Sequence, residues 1–170
     1  QEPAIVALKG MIASLGGLQA VMEESAVGEY ESNGKIERPI RTLQGQVRTL
    51  REDLESRLDD KGIPVDSHVW HWLFRWAAQC INRFQIVPQG RTPFEKVRGS
   101  KCATPVAIFG ERVFYKEAKD TTTSRKKLDS EWREGIWVVC TGRTNESVIL
   151  TEQGAAKAFT VRRVEMEERW

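Results

Sequence analysis

The feature that most limits the fold is a change of period near residue 100. Up to Gly99 the apolar residues recur at helical steps of three and four; from Lys101 they gather into short strand-like runs separated by polar turns. Two such patterns in separate stretches point to an α+β chain, helices first and an antiparallel sheet after. In the helical part, Ile36, Ile40, Leu43, Val47, Leu50, Leu54 and Leu58 form one stripe, which reads as the core-facing side of a long helix. The run Glu31-Ser32-Asn33-Gly34 before it is a turn signal, so Ser32 or Asn33 is expected to cap that helix. Pro39 is awkward beyond a first turn, so the regular helix is expected to start near Arg38 or to kink there. Either way Glu37 falls at the mouth of the helix.

The next helix is expected over Asp66–Val87. Trp70, Leu73, Ala77, Cys80, Ile81 and Phe84 make one stripe and Trp72 and Trp76 a second, so apolar groups cover most of its circumference. Such a helix is expected to lie deep or under a partner. His68 and His71 have no third ligand nearby and make a poor metal site. Thr92-Pro93-Phe94-Glu95 is a capping box with Pro at the first helical position, opening a short helix that ends near Gly99. Beyond it, Arg112–Lys116, Gly135–Cys140, Ser147–Thr151 and Ala158–Arg162 read as strands. Turns are expected at Thr141–Asn145 and Glu152–Gly154, and the whole as a small antiparallel barrel or meander. At the other end, Gln1–Leu18 reads as an amphipathic helix and Gln19–Met22 as a short strand.

Composition narrows the function classes only a little. The chain has 170 residues and a formal net charge of +2, too small to imply nucleic acid by itself, so any such binding has to rest on local faces. Cys80, Cys102 and Cys140 are far apart and odd in number, which suits reduced thiols in an intracellular protein better than a disulfide frame or zinc site. No apolar run is long enough to span a bilayer, and no signal peptide is recognisable. The sequence starts at Gln1 with no Met before Met11, as expected of a cleaved product or an excerpt.

One local face stands out. Steps of four, seven, eleven and fourteen residues from Glu37 reach Arg41, Gln44, Arg48 and Arg51, so an acidic residue opens a helical face that continues basic. Arg38 follows Glu37 directly. A second basic group lies in the polar loop ending in Lys126 and Lys127, and a third at Arg162 and Arg163.

Ser32-Asn33-Gly34-Lys35-Ile36-Glu37-Arg38 resembles the last catalytic segment of copia-type LTR retrotransposon integrases, within the retroviral-type integrase superfamily. Other parts fall in the same order as in that family. Gln1-Glu2-Pro3-Ala4-Ile5 is similar to the phrase that follows the second catalytic Asp. Asn82-Arg83 precedes Gly90-Arg91-Thr92-Pro93-Phe94-Glu95. Further on come Phe109-Gly110, Arg125-Lys126-Lys127-Leu128-Asp129, Gly135-Ile136-Trp137-Val138 and Val161-Arg162-Arg163-Val164. Trp132 and Trp137 depart from many relatives, which carry other apolar residues there. The resemblance implies that residues 1–100 are the C-terminal, mostly helical part of an RNase H-like catalytic core, and 101–170 a small SH3-like β domain.

It further implies that Glu37 is the last of three carboxylates that hold two Mg²⁺ or Mn²⁺ ions during phosphodiester transesterification. An Asp immediately upstream of Gln1 would stand at the family's spacing from Glu37, and the first Asp would lie further upstream still. On this reading the chain alone is inactive and at most binds nucleic acid. Arg38, Arg41, Gln44, Arg48, Arg51, Lys126, Lys127, Arg162 and Arg163 are the candidate contacts to element-end and target DNA. The full enzyme is expected to be a homo-oligomer acting in a cytoplasmic particle and the nucleus. A core cut short also predicts exposed apolar surface on the Trp-rich helix. The competing expectation is a non-catalytic assembly module, or a decayed transposon fragment, that self-associates through Leu43, Val47 and Leu50.

Overall fold

In a computed structural model, the structure describes residues 7, 10–11, 30–58, 62–88, 90–103, 107–116, 130–142 and 144–170. The chain divides into two compact units, Gln1–Pro39 and Ile40–Trp170. Of the first unit, the expected strand at Gln19–Met22 and most of the expected helix at Gln1–Leu18 lie outside the described residues. Residues 7, 10 and 11 are helical.

Helix α1 spans Tyr30–Glu55 with Pro39 inside it. This corrects the expected start: Glu31-Ser32-Asn33-Gly34 is helical, not a turn. Ser, Asn and Gly are weak helix formers, but their local preferences are small against continuation of a long helix. Glu37 therefore lies inside the helix and not at its mouth.

From Ile40 onward α1 belongs to the second unit, and its stripe works as expected there. Val47 and Leu54 are buried and Leu43 and Leu50 pack against the core, whereas Ile40 and Leu58 stay about half exposed. Arg57, just beyond α1, ties this end down. Its Nη1 donates to the Phe109 carbonyl at 3.2 Å, and its guanidinium lies 3.9 Å from the Trp170 ring centre.

Helix α2 (Val69–Phe84) is shorter at both ends than the sequence suggests. The Ser67 hydroxyl accepts from the Val69 N–H at 3.3 Å, so that residue does assist the start. Leu73, Trp76 and Ala77 are buried; Trp70 and Trp72 are half-buried; Phe74 and Phe84 are about half exposed. The helix is thus one-sided, not deeply covered, and its inner side lies against β2. Trp76 meets Trp137 edge to face with ring centres 4.9 Å apart, a favoured geometry for the aromatic quadrupoles. Helix α3 (Pro93–Arg98) has both halves of the expected capping box. Thr92 Oγ1 accepts from the Glu95 N–H at 3.1 Å, and Glu95 Oε2 accepts from the Thr92 N–H at 2.7 Å. Gly99 closes the helix in the left-handed region at φ 75°.

Five strands follow: β1 (Arg112–Lys116), β2 (Trp132–Cys140), β3 (Ser147–Thr151), β4 (Gly154–Ala158) and β5 (Val161–Arg163). They form one antiparallel sheet in the order β4-β3-β2-β1-β5, so the last strand returns to pair with the first. β2 is the long strand: Trp132–Ile136 pair with β1, and Ile136–Cys140 pair with β3 across a bulge between Trp137 and Val139. A bulge at that point bends the strand and lets it serve two partners. Gly135 is required where β2 crosses β3, because a Cβ there would sit 2.8 Å from the Leu150 carbonyl oxygen.

The expected last strand, Ala158–Arg162, is in fact two. β4 turns at Phe159-Thr160 before β5 begins. Val113, Trp137, Val139, Val148, Ile149 and Ala158 of the sheet lie in the same buried cluster as Leu73, Trp76 and Ala77. The chain is therefore α+β, with three helices and a five-stranded antiparallel sheet among the described residues.

Candidate nucleic-acid interface

Glu37 and Arg38 are exposed on the part of α1 that belongs to the first unit. In the second unit, Arg41, Gln44, Arg48 and Arg51 are exposed along α1. They do not share one state. Arg51 Nε donates to Glu55 Oε1 at 2.9 Å, and its guanidinium stands 5.6 Å from the Trp70 ring centre. The same Glu55 oxygen accepts the Ile63 N–H at 3.0 Å. The Arg51 hydrogen bond, then the Ile63 N–H, hold the Glu55 carboxyl below its ordinary range, because both favour the charged form. Arg51 is thereby a fastener between α1 and the following loop. Arg41 and Arg48 remain the open cations of this face.

The sheet treats its cations differently. Arg112 Nη2 pairs with Glu134 at 2.6 Å, and Lys116 pairs with Glu131. Arg163, a sequence candidate for DNA contact, pairs at 2.6 Å with Glu111, a carboxylate with no solvent exposure. Arg169 reaches the same oxygen at 3.3 Å, and Glu111 Oε2 accepts the Ile108 N–H at 2.8 Å. This cluster fastens β5 and the C-terminal segment beside β1. Arg162 lies over Trp132 at 4.4 Å from the ring centre, a cation–π pair between β5 and β2. Trp137 is buried, its Nε1 donating to Ser147 Oγ at 3.1 Å, whereas Trp132 is partly accessible. Lys126 and Lys127 lie outside the described residues.

The structure thus brings Arg41, Gln44, Arg48 and Arg51 onto one helix of the second unit and leaves Arg162 and Arg163 on a sheet edge. For metal, no group of three or more His, Cys, Asp or Glu side chains that could hold an ion occurs among the described residues. Two divalent ions need several carboxylates, so Glu37 by itself does not fit such a centre. The three cysteines are free. Burial pushes the Cys80 thiol up to about 11 and raises that of Cys140, so neither is a reactive thiolate near neutral pH.

Sequence reasoning missed the arginine whose burial is deepest. Arg83 sits on the inner side of α2 with Leu73, Trp76 and Ala77, only 5% exposed. The expected apolar stripe runs instead through its neighbour Phe84, which is 47% exposed, so nothing in the local pattern marks Arg83. No family model, no curated protein and no solved structure matches the chain.

Proposed function

We propose that this chain is a DNA-binding portion of a copia-type integrase: the tail of an RNase H-like core over residues 1–100, followed by an SH3-like barrel over 101–170. The observation that carries the reading is the order of parts. A helix bearing the exposed Arg41 and Arg48 is followed by a second helix and a capping-box helix. A five-stranded antiparallel sheet then follows, its bulged β2 shared between two partners and its fifth strand returning to the first. The motif order in the sequence supports the same assignment. The contacts are to phosphates, so binding is independent of sequence and weakens steeply with salt.

In the longer family enzymes three carboxylates act together; this chain contributes Glu37 and its own part is to hold DNA. The purified chain should bind a random-sequence duplex with an affinity that falls linearly on a log–log salt plot, and should join no DNA ends with Mn²⁺ present. Binding that ignores salt refutes the DNA reading, and robust joining refutes the assignment of a non-catalytic role.

One observation favours a protein-assembly module instead: Phe74 and Phe84 on α2 are each 47% exposed. The expected seam at Leu43, Val47 and Leu50 does not support it, since all three face this unit's own core. Concentration-dependent self-association lost in Phe74→Ser/Phe84→Ser, with no duplex binding, would favour that alternative.

A further inference from the structure

Among the described residues, Arg83 is a buried cation without a counter-charge. Its Nη2 donates to neutral oxygens, the Thr141 carbonyl at 3.4 Å and Asn145 Oδ1 at 3.2 Å, its side chain also hydrogen-bonds the Cys140 thiol, and its Nη1 is buried with no oxygen partner. No carboxylate pairs with it among the described residues. The thiols of Cys80 and Cys140 feel its charge but are kept protonated chiefly by burial, so they do not neutralise it. An unneutralised guanidinium in a low-dielectric wall is costly and projects a strong positive potential into any space beside it.

Such a space exists. A cavity of about 250 Å³ lies between α2, α3 and the β2–β3 loop, lined by Gln79, Asn82, Arg83, Phe94 and Arg98 among others. Arg98 brings a second cation to it, with Nη2 donating to the Gly142 carbonyl at 3.4 Å. The ring of Phe94 stands 5.9 Å from the Arg83 guanidinium and, with Pro93 and Val97, makes one wall apolar. The Gln79 amide has a buried Oε1 with no partner, while its Nε2 donates to the Cys140 carbonyl at 2.5 Å. The cavity thus combines two cations, polar groups and an apolar wall, all from one compact unit.

We infer that this cavity is a binding site for a phosphate monoester carried on an apolar or aromatic body. Charge matching selects the monoester. Two uncompensated guanidinium groups call for roughly two negative charges, which a monoester carries near neutral pH and a carboxylate or a backbone diester does not. Arg98 and Asn82 touch the ligand, Arg83 supplies the field from behind, and Phe94 and Val97 take the body. The site is separate from the basic face of α1, and the inference does not rest on the DNA reading.

The test is an NMR titration of the folded chain with inorganic phosphate and with a nucleoside 5′-monophosphate, against chloride at matched ionic strength. Saturable shifts should centre on the side chains of Asn82 and Arg98, with the nucleotide binding more tightly than inorganic phosphate. Arg98→Ala, a change at an exposed position, should weaken binding about tenfold, the effect of removing one charge-assisted hydrogen bond. Arg83→Lys should keep the charge and retain part of the affinity, whereas Arg83→Gln should lose it. Non-saturating shifts, shifts centred on Arg41 and Arg48, or undiminished affinity in Arg98→Ala would each overturn the site.

Discussion

Arg41 and Arg48 of α1 and Arg112 and Arg163 of the sheet are the same residue type put to opposite uses. On the sheet, Arg112 and Arg163 are held by carboxylates, and Arg163 with Arg169 neutralises the fully buried Glu111. On α1, Arg41 and Arg48 project from an exposed helical face. Basic residues counted along a sequence therefore overstate a binding surface. What separates a fastener from a phosphate-binding cation is whether an acid of the same fold already occupies it, because an engaged cation must first give up its partner to meet a phosphate.

That contrast can be attacked from the sheet side first, where the largest effect is expected. Glu111→Ala strands two arginines around a buried position and removes the acceptor of the Ile108 N–H. It should cost about 1–3 kcal/mol of stability in denaturant unfolding while duplex affinity stays unchanged. Loss of affinity in folded Glu111→Ala would mean that the sheet contributes to binding after all.

Arg162→Ala probes a residue between the two classes. The stack on Trp132 is worth about 0.5–1 kcal/mol at a half-exposed site, so a small loss of stability is expected. A simultaneous drop in duplex affinity would move Arg162 to the phosphate-binding side of the divide.

The smallest effect is expected at Glu55, the acid that takes Arg51 out of the open set. Its carboxyl titrates below the ordinary glutamate range in the folded chain, so its contribution is present above that range and is lost as pH falls through the folded value. Glu55→Gln should flatten the acid limb of the stability–pH curve slightly, and should free Arg51 to strengthen duplex binding. An unchanged acid limb would show that the Arg51–Glu55–Ile63 link carries no stability.

Much of the fold is legible in the sequence, and the reasons are local. The Thr92–Glu95 capping box and the Arg112–Lys116 and Ser147–Thr151 strands follow from residues that sit next to one another, and they lie where expected. The misses depended on distant partners. The Glu31–Gly34 turn signal was overridden by a helix that runs from Tyr30. The bend between β4 and β5 was hidden because Ala158–Arg162 is one continuous β-prone run. The site was less legible than the fold. Nothing adjacent to Arg163 in the sequence announces that it serves Glu111, 52 residues away, and nothing beside Arg83 announces that no carboxylate among the described residues pairs with it. Pairing across the fold decides both, and it becomes visible only when the sheet closes.

The most direct measurement compares two double variants that remove the same charge. Duplex affinity would be followed against salt for the parent chain, for Arg41→Ala/Arg48→Ala on α1, and for Arg112→Ala/Lys116→Ala on the sheet. If the open arginines of α1 neutralise DNA phosphates, the first variant should shallow the log–log slope by about 2, roughly one for each phosphate no longer neutralised, and the second should leave it unchanged. Equal slopes for the two variants, or a larger change from the sheet pair, would contradict the division between engaged and open cations.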